Sequence, residues 1–257
     1  MKSDARLSVV IPSYNEEATV RQVIEQVLQL DCVCEVIVVN DCSRDRTDEI
    51  VRGLMANDSR IKLLQHKVNR GKTEALKTGF AQVSGDIVIV QDADLEYDPA
   101  EIPAVIEPIV EGRADVVFGS RFLVRKASRV LYFYHYLANK LLTFTSNFFT
   151  NLNMTDVETG YKAFRSEIMR SMVITSRGFG FEIEVTAKVA KLGCAVYEVP
   201  ISYYGRTYEQ GKKIGMKDGI AAFWYIARYN LLCSLDSSYK EVPQLEPVMA
   251  QARRHTA

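Results

Sequence analysis

Three carboxylates follow directly on one run of apolar residues. Asp92, Asp94 and Glu96 stand at alternate positions just after residues 87–90, whose uninterrupted apolar sequence predicts a buried strand. Alternate side chains of an extended chain point the same way, so we expect the three carboxylates to face one point. Such a group of hard oxygen ligands favours Mg²⁺ or Mn²⁺, which can also hold a substrate phosphate. The alternative, an acidic and solvated turn, is disfavoured by the buried strand before it.

The segments around these carboxylates predict alternating strands and helices. Strands are expected at residues 7–11, 34–39, 61–64, 87–90 and 115–118, with helices at about 16–30, 43–55 and 71–83 and from about 99. This alternation indicates an α/β fold, with a mainly parallel central sheet and helices on both faces. Polar residues follow four strands, at 12–16, 40–41, 92–96 and 119–121. Ligands bind at that edge of such sheets, so we expect one site there.

The chain changes character after residue 121. A helix with a broad aromatic face is predicted at residues 131–149, preceded by Arg125, Lys126 and Arg129. This profile is typical of an amphipathic interfacial helix at a membrane surface, and a core helix fits the periodicity equally well. Residues 156–165 are predicted as a loop, 181–192 as a helix and 194–200 as a strand. We expect one domain over residues 1–236 and a flexible tail at 237–257.

Composition limits the class of protein. The 257 residues are 47% apolar and 25% charged, as in an ordinary soluble globular protein. Lys plus Arg and Asp plus Glu both total 32, so net charge gives no support to a nucleic-acid partner. Five cysteines without a Cys-x-x-Cys pair favour a reducing compartment over a disulfide framework or a zinc site. Without a visible signal peptide or an apolar run of about 18 residues, we expect a cytoplasmic protein, soluble or peripheral to the membrane.

Several motifs resemble the inverting family-two glycosyltransferases of GT-A fold. They lie at residues 11–16 (Ile-Pro-Ser-Tyr-Asn-Glu), 38–47 (Val-Val-Asn-Asp-Cys-Ser-Arg-Asp-Arg-Thr), 69–72 (Asn-Arg-Gly-Lys), 92–96 (Asp-Ala-Asp-Leu-Glu) and 119–121 (Gly-Ser-Arg). Residues 156–165, 180–184 and 206–213 resemble the dolichyl- or polyprenyl-phosphate glycosyltransferases, typified by dolichol-phosphate mannosyltransferase. The resemblance implies a nucleotide-sugar half at about 7–121 and an acceptor half at about 122–236.

The resemblance also implies roles for individual residues. It assigns nucleotide binding to Pro12, Tyr14, Glu16, Val39, Asp41, Lys72, Asp92 and Ala93, and the cation Mg²⁺ or Mn²⁺ to Asp92, Asp94 and Glu96. It assigns the donor and acceptor phosphates to Arg121, Arg129, Arg206, Lys212 and Lys213, with Asp92, Asp94 and Arg121 as the catalytic residues. The implied reaction transfers a hexose from GDP-mannose or UDP-glucose to a polyprenyl or dolichyl phosphate, at the cytoplasmic face of a membrane.

The chain departs from the family pattern at a few positions. Glu96 stands where mannosyl-transferring members often have Gln, and Cys42 stands where glycine is common. Lys212-Lys213-Ile214 replaces a Ser-Lys-Leu ending, and the transmembrane helices that some members append are missing. Glu96 would add a negative charge to the metal site.

A phosphate acceptor needs no general base. A phosphate monoester, with its second pKa about 6, is largely ionised at neutral pH and can attack an anomeric carbon directly. The reaction then needs cations, which bring the second anion close and balance the leaving diphosphate. We therefore expect single-displacement transfer with inversion.

Three other functions remain as alternatives. A nucleotidyltransferase would need a glycine-rich basic loop after the first strand, and residues 12–16 offer none. A glycosyltransferase acting on a lipid or saccharide hydroxyl would need a base, for which Glu182, Glu184 and Asp156 are candidates. A peripheral membrane binding module on a degenerate transferase fold is disfavoured by the intact carboxylates.

Overall fold

The computed structural model describes residues 5–123, 132–205 and 216–245. Its strands are β1 (Leu7–Ser13), β2 (Val33–Asn40), β3 (Ile61–Gln65), β4 (Ile87–Val90), β5 (Val116–Ser120), β6 (Lys162–Arg165) and β7 (Val196–Pro200). They form one sheet in the order β3-β2-β1-β4-β6-β5-β7. Neighbouring strands are parallel, except that β6 runs antiparallel to both β4 and β5. The predicted α/β fold with a mainly parallel sheet is confirmed, and β7 is an edge strand.

Helices cover both faces of this sheet. In the described residues they are α1 (Val20–Leu28), α2 (Thr47–Met55), α3 (Lys72–Phe80), α4 (Ile102–Val110), α5 (Phe133–Thr150), α6 (Ser166–Ser171), α7 (Phe181–Leu192), α8 (Met216–Leu231) and α9 (Leu235–Ser238). Successive residues of β1 face opposite sides, so Val9 packs with α1 and α4 while Val10 packs with α3 and α7. A Cβ on Gly79 would come within 2.4 Å of Val10 Cγ1. This close packing fixes α3, and Lys72 at its first turn, relative to β1.

Residues 162–165 form β6, where the sequence predicted a loop. Lys162 and Arg165 flank only two apolar residues, so no hydrophobic run marked this strand. The Lys162 side chain is fully buried, donates to the Val157 carbonyl and lies 4.3 Å from the centroid of the Phe118 ring. Because β6 is antiparallel, it begins at the edge of the sheet where β4 and β5 end. Residues 156–160 therefore reach the edge predicted to hold the site.

The prediction of a flexible tail from residue 237 is wrong for residues 237–245. Tyr239 pairs with Met172 in an antiparallel bridge, and its hydroxyl donates to the Lys188 carbonyl. Tyr239 is 3% exposed, and Val242 and Leu245 pack on the same core cluster. Three apolar side chains are enough to dock a segment whose composition is mostly polar. Residues 246–257 lie outside the described part.

The helix predicted at residues 131–149 is confirmed as α5, and its two sides differ. Leu142, Thr143 and Ser146 are buried, and α5 contacts α7 and α8. A stripe at helical spacing faces away from the domain and consists of Tyr134, Leu137, Leu141, Phe144 and Phe148, which are 52% to 82% exposed. We call this stripe the aromatic face. In the part of the chain that the structure describes, no helix has the length and apolar composition to cross a membrane.

A buried carboxylate on β2 makes the stability of the fold depend on pH. Glu35 is 3% exposed and accepts hydrogen bonds from Ser8 Oγ at 2.5 Å, Lys62 Nζ at 2.5 Å and the Ser84 N–H at 2.6 Å. Burial opposes the charge, but these donors prevail and lower the pKa of Glu35 from 4.5 to about 2.

We expect Glu35→Gln to lower the free energy of unfolding at pH 7 by about 2 kcal/mol, because a charge-assisted network is lost. The folded state has the lower pKa, so the contribution is complete above pH 4.5 and is lost as the pH falls towards 2. Urea unfolding at several pH values should therefore show the difference between the wild type and the variant shrinking in that range. Glu25→Gln on the exposed side of α1 is the control, and a pH-independent difference would contradict the prediction.

Candidate active site

A cavity of about 370 Å³ opens at the carboxyl ends of β1, β2, β4 and β5. Predicted site residues that line it are Pro12, Tyr14, Glu16, Asp41, Lys72, Asp92, Ala93, Asp94, Glu96 and Arg121. Val39 does not line it, because its side chain is fully buried in the core against α3. Arg129, Arg206, Lys212 and Lys213 lie outside the described residues. The motifs of residues 11–121 therefore meet around one cavity, at the edge of the sheet where the sequence predicted the site.

The three carboxylates after β4 reach the cavity through a turn, and the expected extended chain is wrong. β4 ends at Val90, and Leu95 adopts a φ of +59°, a left-handed conformation that few non-glycine residues take. The Glu96 N–H donates to Asp94 Oδ1 at 3.1 Å, which closes the turn. Within residues 5–123, 132–205 and 216–245, no three His, Cys, Asp or Glu side chains are grouped to hold a metal ion.

Asp92 and Glu96 each contact a side chain from another part of the chain. Asp92 pairs with Lys72, whose Nζ lies 2.9 Å from Asp92 Oδ1, and Glu96 Oε2 accepts from the Tyr203 hydroxyl at 3.0 Å. These contacts draw Asp92 towards α3 and Glu96 towards the segment after β7. Asp94 and Asp92 together still offer the one or two carboxylates with which a Mg²⁺ site that also uses substrate phosphates is built. The donor set fits such an ion, with fewer protein ligands than the sequence suggested.

Lys72 connects the early carboxylates to α7. Its ammonium lies 2.9 Å from Asp92 and 3.3 Å from Glu182 Oε1. Burial would lower the pKa of Lys72, but Asp92 and Glu182 outweigh it and raise that pKa, so the ammonium stays charged. A Cβ on Gly160 would come within 2.8 Å of Asp92 Oδ2 and 3.2 Å of Lys72 Nζ. Glycine at this position therefore leaves room for the Lys72–Asp92 pair.

Asp41 holds the loop that leads to Lys72. Its carboxylate oxygens accept from the Arg70 N–H at 2.9 Å and the Gly71 N–H at 2.7 Å, and Oδ1 lies 2.7 Å from His66 Nδ1. Gly71 has a φ of +88°, which favours glycine. Asp41 lines the cavity as expected, but much of its hydrogen-bonding capacity is used within the protein.

Arg121 forms a paired interaction with Asp156 at the end of β5. Its Nε and Nη2 donate to the two Asp156 carboxylate oxygens at 2.6 and 2.7 Å, and its guanidinium lies 5.1 Å from the centroid of the Tyr203 ring. Asn139 of α5 donates to Asp156 Oδ1 at 3.1 Å. Burial would raise the pKa of Asp156, but Arg121 dominates and lowers it. Asp156 is therefore a weak base with both carboxylate oxygens bound by Arg121, which does not suit a general base.

The cavity also contains a residue that sequence reasoning missed. Glu158 lines it, and burial together with the Glu182 charge raises the pKa of Glu158 from 4.5 to about 7. Two buried oxygens, Oε1 of Glu158 and Oε2 of Glu182, accept no hydrogen bond from any residue in the described ranges. Glu184, a base candidate from the sequence, pairs instead with Lys188 at 2.5 Å in the core. The sequence did contain a signal for this residue, since Glu158 is a charged residue two positions before Gly160 in the 156–165 motif.

Comparison with known proteins identifies the class. Residues 8–172 match the family described as "Glycosyl transferase family 2". Because this match spans more than half of the chain, the protein belongs to that family. It is a glycosyltransferase, as the motifs predicted.

Two relatives are named as mannosyltransferases of lipid phosphates. The chain is 28% identical over 220 residues to "Undecaprenyl-phosphate mannosyltransferase" of Micrococcus luteus, covering 82% of this chain and 88% of that protein. It is 30% identical over 217 residues to "Dolichol-phosphate mannosyltransferase" of Pyrococcus furiosus, covering 82% of this chain and 60% of that protein. The predicted resemblance to the polyprenyl- and dolichyl-phosphate group is confirmed.

Solved structures support the GT-A-like fold. Glucosyl-3-phosphoglycerate synthase of Mycobacterium tuberculosis, in complex with Mg²⁺ and UDP, matches with a TM-score of 0.66 at 22% identity, covering 89% of this chain and 80% of that chain. The same protein has been solved with Mn²⁺ and UDP. At this identity the likeness concerns the fold alone.

Proposed function

We propose that this protein transfers a hexose, with inversion and with a divalent cation, from a nucleotide sugar to a polyprenyl or dolichyl phosphate. The observation that carries the proposal is that α5 connects an exposed apolar surface, suited to contact with lipid, to the cavity. One side of α5 presents the aromatic face, and Asn139 on the same helix binds Asp156, which holds Arg121. A lipid-borne phosphate would lie where these two features meet.

The charge of the cavity supports a bound cation. Its described lining includes the carboxylates Glu16, Asp41, Asp92, Asp94, Glu96, Glu158 and Glu182, and the cationic side chains Lys72 and Arg121. Lys72 and Arg121 are each in ion pairs with carboxylates. A nucleoside diphosphate would be repelled unless further positive charge accompanied it. Mg²⁺ or Mn²⁺ held by Asp94 and Asp92, with Glu96 beside them, would neutralise the leaving diphosphate.

The chain's own residues would then bind and orient the two substrates. Pro12, Tyr14, Glu16, Asp41 and Ala93, which line the cavity, would hold the nucleoside. Arg121 would attract the acceptor phosphate, assisted by Arg129, Arg206, Lys212 and Lys213. An acceptor phosphate oxygen forms the bond to the anomeric carbon as the bond to the donor diphosphate breaks, and the nucleoside diphosphate leaves.

A donor and acceptor panel tests this function. GDP-mannose and UDP-glucose would be supplied with Mg²⁺ or Mn²⁺ and a short polyprenyl phosphate, and the product identified by mass. We expect a hexosyl phosphopolyprenol and no product from the dephosphorylated polyprenol. Product from the polyprenol alone would instead support the hydroxyl-acceptor alternative.

We further propose that the aromatic face seats the enzyme on a membrane surface, at the cytoplasmic leaflet. Phe144 and Phe148 are 70% and 75% exposed, and Trp224 of α8 is 59% exposed. Phenylalanine side chains that enter an interface each gain about 1.5–3 kcal/mol. A membrane-bound enzyme would meet a polyprenyl phosphate without extracting it from the bilayer.

Replacing Phe144 and Phe148 together by Ser should lower binding to phospholipid vesicles by at least about tenfold, because apolar area is lost. Sedimentation with vesicles measures this, and Met55→Ser on α2 provides an exposed apolar control on another surface. Turnover of a soluble, short-chain acceptor should remain close to the wild-type value. Unchanged vesicle binding would contradict the membrane role.

A further inference from the structure

Two buried carboxylate oxygens of cavity residues have no hydrogen-bond partner among the residues that the structure describes, and the proposed reaction does not use them. They are Glu158 Oε1 and Glu182 Oε2, and both residues line the cavity. Glu182 is 4% exposed, so its carboxylate is almost completely shielded from bulk solvent. Buried polar atoms are almost always hydrogen-bonded in folded proteins, and the exceptions are often completed by a ligand. Both oxygens can only accept when ionised, so the missing ligand must offer donors.

The position of the pair points to one part of the donor. Asp92 pairs with Lys72, and Lys72 pairs in turn with Glu182 Oε1. Gly160, two residues after Glu158, lies against Asp92 and Lys72. The two acids therefore lie next to the Lys72–Asp92 pair, beside the position proposed for the diphosphate. In a nucleotide sugar, the group beyond the diphosphate is the hexose, whose hydroxyls are hydrogen-bond donors.

We propose that Glu158 and Glu182 form a subsite for the hydroxyls of the donor hexose, with Glu158 as the residue that determines which hexose is accepted. This inference rests on the proposed function. Lys72 already fixes the other oxygen of Glu182, whereas no residue in the described part of the chain forms an ion pair with Glu158. The position of the Glu158 carboxyl can thus distinguish an equatorial from an axial hydroxyl. Sites built to bind a substrate hydroxyl reject analogues that leave their buried groups unpaired.

Two substitutions test the subsite. Glu158→Gln keeps the shape and removes the charge, and Glu158→Asp keeps the acid and withdraws it by one methylene. The Gln variant should fold, because it keeps the shape of the side chain and removes the charge repulsion between two buried neighbours, Glu158 and Glu182. Calorimetric titration with MnCl₂ present would compare UDP with UDP-glucose and GDP with GDP-mannose. Glu25→Gln is the matched control on an exposed helix surface.

We expect both variants to bind the nucleoside diphosphates within about twofold of the wild type. Their affinity for the preferred nucleotide hexose should fall about tenfold, the loss expected for one charge-assisted hydrogen bond. The ratio of kcat/KM between the two nucleotide sugars should also shift.

Other outcomes distinguish a failure of the proposed hexose subsite from a failure of the proposed transferase function. Equal losses for nucleotide and nucleotide sugar, or no loss for either, would overturn the subsite and leave the transferase function standing. A fall in kcat at unchanged donor affinity, with a flattened pH profile, would make Glu158 a general base and overturn the subsite. A wild-type protein that binds none of the four nucleotides would overturn the proposed function and the subsite with it.

Discussion

Asp94→Asn should lower hexose transfer by about 10²–10³-fold, while the free energy of unfolding stays close to that of the wild type. Asp94 lies at the turn after β4, and its Oδ1 accepts the Glu96 N–H. The asparagine carbonyl can keep this hydrogen bond, so the turn is preserved. What is lost is a formal charge at the point where a cation and a diphosphate would meet, and that charge matters most in the transition state.

Turnover and Mn²⁺-dependent binding of the nucleoside diphosphate measure this effect. Asp31→Asn, at an exposed position before β2, removes an equal charge away from the cavity and should change neither quantity. Chemical denaturation of both variants checks the fold. Turnover within threefold of the wild type, at any Mn²⁺ concentration, would remove Asp94 from the proposed metal site.

Arg121→Lys should also lower turnover by about 10²–10³-fold, even though the charge is retained. The Arg121 guanidinium bonds both oxygens of Asp156 at 2.6 and 2.7 Å and stacks near Tyr203. A lysine ammonium cannot make the paired contact, so it would sit closer to one Asp156 oxygen and offer less to a substrate phosphate. Asp156 is fully buried, so we also expect the free energy of unfolding to fall by about 1–3 kcal/mol.

Kinetic measurements well below the unfolding temperature separate the loss of turnover from the loss of stability. The KM for the phosphate acceptor should rise together with the fall in kcat if Arg121 meets that phosphate. Arg113→Lys is the matched control, since Arg113 pairs with Glu111 on an exposed surface. A variant with reduced stability but normal kinetic constants would limit Arg121 to a structural role.

The sequence predicted the location of the site better than its internal contacts. Polar residues after several parallel strands must meet at one edge, so Pro12, Asp41, Asp92 and Arg121 could be grouped without coordinates. The pairing of these residues could not be predicted. Asp92 can pair with Lys72 only because α3 packs close to β1. That close packing requires a residue without a side chain at position 79, which is Gly79.

Two local features explain most of the errors. Leu95 in a left-handed conformation turns the carboxylate segment, and nothing in a leucine signals that choice. β6 is short and begins with a lysine, so its sequence resembles that of a loop. Lys162 is nevertheless buried, because a backbone carbonyl and an aromatic ring stabilise its ammonium group. Glu158 was missed with it, because a predicted loop has no periodicity that shows which of its side chains face the site.

The reversed direction of β6 makes the spacing of its residues as important as their identity. Ala163 packs on one face of the sheet and Phe164 on the other, while the segment before them supplies Asp156 and Glu158. A single residue inserted after Gly160 would exchange these faces or pull the two acids out of line. Natural variation in this protein should therefore substitute residues between 156 and 165 far more readily than it changes their number.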